Sequence, residues 1–398
     1  MLFESRIEKT IAALRERAKV PLAIELWNGR RYELGEEPSV TFRVTDASAL
    51  KRISSPDFAS LGEAYVEGDL ELEGPIEEAL RAVESLAKAL GGSGRGRLPR
   101  LSSHSRKSDS EAIRYHYDVS NDFYRLWLDE RLVYSCAYFR TGAEDIHAAQ
   151  EQKLDHICRK LRLSPGDRFL DIGCGWGALV MHAAQKYGVH ATGITLSDNQ
   201  HAYANAQIGA AGLQDRCQVR LLDYRDLTGE FDKIASVGMF EHVGLKNLPA
   251  YFGTIHRLLA DGGVVMNHGI TSVDTESREV GFGAGEFIEK YVFPEGQVPH
   301  ISLVLKEMAG ADLEAMDVET LRLHYARTLA HWSRRLEENL EAAHAHAGKK
   351  RVRIWRLYLA GCAHAFARNW ISIHQVLAVK SSNPGRNPLP WTREYMYR

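Results

Sequence analysis

No stretch of this 398-residue chain approaches the roughly 18–20 continuous apolar residues of a membrane span. The opening MLFESRIEKT puts charges where the apolar core of a secretory signal would stand. A cytoplasmic protein without a membrane helix is therefore expected. Cysteine is scarce: Cys136, Cys158, Cys174, Cys217 and Cys362 are scattered and form no C-x-x-C pair. That argues against a disulfide framework and a zinc site, and reduced thiols are expected. An excess of one charge is also lacking, because 50 Lys and Arg face 52 Asp and Glu. Such a balance argues against a nucleic-acid partner, although a local basic patch can hide inside the average. What remains is ordinary globular material, 44% hydrophobic and 26% charged. At roughly 100–200 residues per domain its length suits two domains or one large one.

The segment 91–110, GGSGRGRLPRLSSHSRKSDS, is rich in Gly, Ser and Arg and nearly free of apolar residues. It reads as a basic flexible linker between residues 1–90 and 111–398. Ahead of it, Phe3, Ile7, Ile11 and Leu14 recur at helical spacing, and Leu22, Ile24 and Leu26 alternate up to the hairpin signal Asn28-Gly29. Val40, Phe42 and Val44 alternate again, and Ile76 to Leu90 returns to helical periodicity. These residues predict a small α+β domain with no evident chemistry. Behind the linker, strands at 168–171, 190–195, 218–222, 233–237 and 264–268 alternate with helices at 178–187, 197–211 and 249–259. That order predicts a parallel, doubly wound α/β sheet, whose ligands bind beyond the carboxyl ends of the strands.

The first of those ends is Asp171-Ile-Gly173-Cys174-Gly175-Trp-Gly177, running directly into a helix. Glycines let the backbone turn sharply and approach a ligand, and the helix start offers unpaired N–H groups. The stretch also satisfies G-x-G-x-x-A, so a dinucleotide-dependent oxidoreductase is a competing reading. Two details oppose it. Asp171 would crowd a pyrophosphate but suits an ammonium group, and the second strand ends in Thr195 where a dinucleotide site wants an acid for the ribose. S-adenosylmethionine fits the turn better. A tight turn without a ligand is the remaining alternative.

Several blocks in order carry a more specific signal: Tyr134-Ser-Cys-Ala-Tyr-Phe139, Leu170 to Gly177, Gly193-Ile-Thr-Leu-Ser197 with Gln200, Asp223-Tyr-Arg-Asp226, Gly238-Met-Phe-Glu-His-Val-Gly244 and Phe287 to Pro294. From about Tyr115 onward the chain resembles the cyclopropane fatty acid synthase family, which includes the mycolic acid methyltransferases. Leu61-Gly-Glu-Ala-Tyr65 and Gly68-Asp echo, more loosely, the N-terminal domain of the long bacterial synthases. The resemblance implies a Rossmann-like class I S-adenosylmethionine-dependent methyltransferase domain behind the small α+β domain, which would serve lipid or dimer contact. It implies methyl transfer to the cis double bond of an acyl chain in a membrane phospholipid, with bicarbonate as base and a cyclopropane ring as product. A relative leaving a methyl or methylene branch would share almost every motif. Dimerisation is suggested by the resemblance alone.

Carried over by position, the bicarbonate cluster falls on Cys136, Glu241, His268, Ile270 and Tyr325, and Cys362 matches a cysteine once favoured as catalytic. The resemblance places Tyr134 and Ser135 near the methionine end of the cofactor, Gly173, Cys174 and Gly175 along its backbone, Thr195, Leu196 and Gln200 around the ribose, and Asp223 with Tyr224 at the adenine. Asp171 completes that set. Each residue also has a plainer role: Cys136 as a small buried hydrophobe, Glu241 in the cap of the next helix, His268 as a satisfied core histidine, Asp223 as a turn initiator. His344 and His346 lack further ligands and are expected to face solvent. A lipid substrate requires contact with an anionic membrane surface. Arg95, Arg97, Arg100, Arg106 and Lys107, and the basic and aromatic run Lys349 to Tyr358, could supply it peripherally; for the second, an ordinary amphipathic helix on the core is the alternative.

Overall fold

The computed structural model describes residues 11–47, 49, 57–92, 94, 96–98, 120–294, 296–380 and 387–397. Phe3, Ile7, Arg95, Arg100, Arg106 and Lys107 lie outside them. After helical residues 11–17, the strands β1 (Leu22–Glu25), β2 (Arg31–Glu33), β3 (Val40–Val44) and β4 (Leu70–Glu73) form a four-stranded sheet of order β2-β1-β3-β4. β1 and β2 pair antiparallel around Asn28-Gly29, where Gly29 takes a positive φ of 81°. Two helices accompany the sheet, α1 (Phe58–Glu67), capped by the Asp57 side chain, and α2 (Ile76–Ala89).

The second unit contains α3 (Asn121–Arg125), α4 (Ile146–Lys160), β5 (Arg168–Ile172), α5 (Ala178–Tyr187), β6 (His190–Thr195), α6 (Asp198–Ala210), β7 (Cys217–Leu221), β8 (Phe231–Val237), α7 (Leu248–Leu258) and β9 (Leu259–Ser272). It continues with α8 (Ala284–Tyr291), α9 (Ile301–Gly310), β10 (Leu313–Thr320), α10 (Arg322–Glu338), α11 (Leu340–Ala347), α12 (Lys349–Ala367) and β11 (Ile371–Lys380). The seven-stranded sheet runs β10-β11-β9-β8-β5-β6-β7. β5 to β9 are parallel as expected, whereas β11 is antiparallel to both its neighbours. The sheet is therefore mixed rather than all parallel, since β11 returns from α12 in the opposite direction.

Alternation along β5 explains the layers. Phe169 joins Leu154, Val180 and Ala183 on one face, while Leu170 and Ile172 join Tyr251, Phe252 and Ile255 on the other. A third cluster lies around the aromatic rings of Trp127, Trp332 and Trp355, built from α3, α10 and α12 and the loops between them.

The run Lys349 to Tyr358 lies on α12 and packs between the two units, with Lys349 and Lys350 exposed at its start. Val352, Arg353, Trp355 and Tyr358 are buried. Arg353 bonds the Tyr65 carbonyl at 2.6 Å and pairs with Glu71, Lys350 pairs with Glu67 at 2.9 Å, and Arg356 pairs with Glu337 at 2.6 Å. These basic residues are met by acids of α1, β4 and α10, namely Glu67, Glu71 and Glu337. No helix among the described residues is long and apolar enough to cross a membrane.

Candidate active site

The strand ends and three loops meet at two adjoining cavities. Tyr134, Ser135, Gly238 and His242 line both. The first cavity is lined by Tyr134, Ser135, Asp171, Gly173, Cys174, Gly175, Thr195, Leu196, Gln200, Asp223 and Tyr224. All the residues expected at the cofactor are thus brought together. Gly173 and Gly175 have positive φ values of 79° and 55°, and a Cβ added to Gly175 would meet nothing within 4 Å, so the turn is an open cradle above the start of α5. Asp171 is 3% exposed and its Oδ1 has no hydrogen-bond partner. Burial lifts its carboxyl to about 7, opposed by the Lys153 ammonium. A buried carboxylate oxygen without a donor beside an open glycine turn fits the ammonium of S-adenosylmethionine.

The ribose and adenine candidates are already organised. Thr195 Oγ1 donates to Gln200 Oε1 at 2.8 Å, which leaves the Gln200 amide nitrogen as that side chain's donor. Asp223 accepts from the Arg225 backbone N–H at 2.9 Å and pairs with its guanidinium at 2.6 Å, so it initiates the turn at Tyr224–Asp226 and lines the cavity as well.

The second cavity collects Cys136, Glu241, His268, Ile270, Tyr325 and Cys362. Register explains the centre of this group. β8 pairs with β9 so that Val237 faces His268, and the short turn Phe240–His242 then folds Glu241 back over β9. Glu241 Oε1 accepts the Ile270 backbone N–H at 2.7 Å, while Oε2 has no partner. Burial raises this carboxyl to about 7. Glu241 caps no helix, because α7 begins later, at Leu248. His268 is 1% exposed; the Gln375 amide nitrogen donates to its Nδ1 at 3.1 Å, so the ring proton sits on Nε2, which has no partner. Burial holds this imidazole neutral, well below its ordinary range. A histidine satisfied on one side only is not a closed core residue.

Tyr325 projects from α10, packed on Phe366 at 4.8 Å between centroids. The same helix pins the Tyr134-Ser-Cys loop: Thr328 Oγ1 accepts the Ala137 N–H at 3.0 Å, and His324 Nδ1 accepts that of Phe139 at 3.0 Å. The fully buried Cys136 lies against the Ala137 carbonyl at 3.3 Å, its thiol pushed up by burial. Burial pushes the Cys362 thiol up to about 12. Neither thiol is a nucleophile near neutral pH. His344 and His346 are exposed, away from these cavities.

Two contributions escape the sequence reading. Lys153, 2% exposed on α4, donates from Nζ to Ser135 Oγ at 2.8 Å and lines the first cavity; burial lowers it to about 8. Its place on the buried stripe Ile146, Ala149, Gln150, Lys153, Leu154 and Ile157 is a readable signal, since a lysine on such a stripe requires a reason. The other is the pair Phe58 and Leu80, through which the N-terminal unit lines the second cavity.

Residues 104–376 match the family model described as mycolic acid cyclopropane synthetase, and residues 11–90 one described as a domain of unknown function. A probable fatty acid methyltransferase of Pseudomonas putida is 51% identical over 381 residues, 95% of this chain and 97% of its own. The cyclopropane-fatty-acyl-phospholipid synthase of Escherichia coli K12 is 32% identical over 385 residues, 89% of this chain and 92% of its own. The crystal structure of mycolic acid cyclopropane synthase CmaA1 complexed with SAH and CTAB is similar with a TM-score of 0.65 at 34% identity, covering 68% of this chain and 98% of that one. The competing dinucleotide reading finds no support in these relatives. A family model spanning well over half of the residues, and relatives matched along nearly their whole length, lead to one conclusion: the chain belongs to the mycolic acid cyclopropane synthetase family and is an S-adenosylmethionine-dependent methyltransferase.

Proposed function

We propose that the enzyme methylates the cis double bond of unsaturated acyl chains in membrane phospholipids and closes the product to a cyclopropane ring. The observation that carries this reading is the unpartnered pair Glu241 Oε2 and His268 Nε2, set in a largely apolar cavity that adjoins the cofactor cavity. When bound, S-adenosylmethionine supplies an electrophilic methyl and bicarbonate supplies the base that removes a proton from it. Bicarbonate carries one hydroxyl donor and several acceptor oxygens. Glu241 Oε2 would take the hydroxyl, and the Nε2–H of His268 and the Tyr325 hydroxyl would donate to the oxygens.

The chain's own residues have distinct tasks. Asp171 holds the ammonium of the cofactor. Tyr134 and Ser135 stand where the two cavities meet and so orient the alkene against the methyl. Phe287, Ile288 and Phe293 provide an apolar wall that keeps water from a developing cation, and the Tyr325 ring offers it a π face. The substrate requires peripheral contact with the inner, anionic face of the membrane. That contact falls to the basic segment 91–110 and to the exposed Lys349 and Lys350 at the start of α12. A second reading, a methyl- or methylene-branched product, draws on the Pseudomonas putida relative named a probable fatty acid methyltransferase.

The test is incubation with S-adenosylmethionine and vesicles of cis-unsaturated phosphatidylglycerol, followed by mass analysis of the fatty acids. A gain of CH2 without a remaining double bond supports the ring. A gain of CH2 with a retained double bond supports a methyl- or methylene-branched chain, and an unchanged acyl chain defeats the proposal.

A further inference from the structure

We propose that the N-terminal unit is part of the specificity apparatus: Phe58 and Leu80 form a wall of the acyl cavity and select the chain by its length on one side of the double bond. This rests on the reading of the second cavity as an acyl site. Phe58 is the first residue of α1, and its backbone N–H donates to the Phe282 carbonyl of the catalytic unit at 2.9 Å. Its ring meets Trp370 edge-on at 5.9 Å between centroids, and both rings line the cavity. Leu80, on α2, is 5% exposed and packs in a small cluster with Ile76 and Ala360 of α12. The wall is therefore made by two units meeting, and the catalytic unit does not close it alone.

A separate contact fixes its position. One helical turn beyond Leu80, Glu84 is 3% exposed and accepts from His364 Nε2 at 2.8 Å, with Arg368 at 3.3 Å. His364 itself lines the cavity and packs edge-on against Trp370 at 5.2 Å. Glu84 is thus a positioning residue: its buried pair sets how closely α2, and with it Leu80, approaches α12.

A misfitting methylene in an apolar pocket changes kcat/KM by about tenfold or more. The experiment is a competition on mixed phosphatidylglycerol vesicles carrying palmitoleoyl, oleoyl and cis-vaccenoyl chains, which vary the length on each side of the double bond separately. Product ratios are compared for the full-length wild type, Phe58→Ala, Leu80→Trp and Glu84→Gln. Phe58→Leu and Leu80→Phe serve as smaller changes of volume in the same two directions if the larger ones unfold the protein. Phe58→Ala is expected to shift the ratios toward the longer chain on one side by about tenfold, and Leu80→Trp toward the shorter on that same side. Glu84→Gln is expected to flatten the preference, with S-adenosylmethionine affinity unchanged in all three. Product ratios that stay at wild-type values in folded variants would overturn the proposal. A wild type that converts none of the three chains would instead overturn the acyl reading beneath it.

Discussion

Replacing Glu241 by glutamine keeps the shape of the side chain and its acceptor for the Ile270 N–H, and removes the ability to ionise. In the folded protein burial raises the carboxyl from 4.5 to about 7, against a smaller lowering by the Ile270 hydrogen bond. An acid whose folded pKa lies above its unfolded one is held preferentially protonated in the native state, so ionisation costs stability as the pH rises. The loss begins near 4.5 and is complete above about 7. At about 1.36 kcal/mol per pH unit the full penalty is roughly 3 kcal/mol. Most of it, about 2–3 kcal/mol, accrues between about pH 5 and 8. The glutamine amide occupies the place of the unpartnered Oε2, so an unpaired buried polar atom is present in both proteins and largely cancels. The His268 imidazole, held by burial well below its ordinary range, is the same in both proteins. Asp171 and Lys153, at about 7 and about 8, titrate in both proteins alike. Thermal denaturation of wild type and Glu241→Gln in bicarbonate-free buffer across that range is the assay. The variant should melt higher, by a margin that is small at acid pH and grows to several degrees at the alkaline end, while turnover is lost and S-adenosylmethionine still binds. A margin that does not change with pH, or a wild type that is the more stable at the alkaline end, refutes the reasoning.

Asp171→Asn should weaken S-adenosylmethionine binding by about tenfold to a hundredfold, the worth of a charged hydrogen bond; calorimetry giving wild-type affinity would remove Asp171 from the cofactor site. A Cβ on Gly269 would stand 1.7 Å from Cε1 of Phe240, next to Glu241. Gly269→Ala should therefore cost about 1–3 kcal/mol of stability by overpacking and slow turnover as well, and a variant unchanged in both contradicts the packing described. Cys362→Ala should retain turnover within a few-fold, because its thiol, at about 12, stays protonated; a loss of orders of magnitude would show the sulfur to be needed. Binding to anionic vesicles should be weak and fall with added salt, and equal binding to neutral and anionic vesicles at low and high salt would sink the electrostatic contact.

Legibility in the sequence follows the range over which each signal acts. The turn Asp171 to Gly177 demands residue types that a packed core does not need at that spacing, so the first cavity can be read locally. The parallel strands β5 to β9 are legible because each alternates with a helix. β11 is not, since its direction depends on where α12 delivers the chain. Glu241 and His268 each follow an apolar strand, which places both at the carboxyl edge of the sheet, but they are 27 positions apart and their convergence is a matter of β8–β9 register.

The least legible features are those whose residue types have more than one physical solution. A run of Lys and Arg between Trp and Tyr is satisfied equally by lipid headgroups or by protein acids, and in α12 Glu67, Glu71 and Glu337 take that place. The same ambiguity hides the N-terminal wall. Phe58 and Leu80 are ordinary apolar residues, and burial is the usual fate of such side chains in any small domain. What makes them candidates for chain selection is the identity of the surface opposite, Trp370 and Ala360, some three hundred positions along the chain. Composition specifies that a residue must be covered; only the tertiary partner decides whether the covering leaves room for a substrate. For that reason the N-terminal residues Phe58 and Leu80, chemically silent in sequence, line the same cavity as Glu241 and His268.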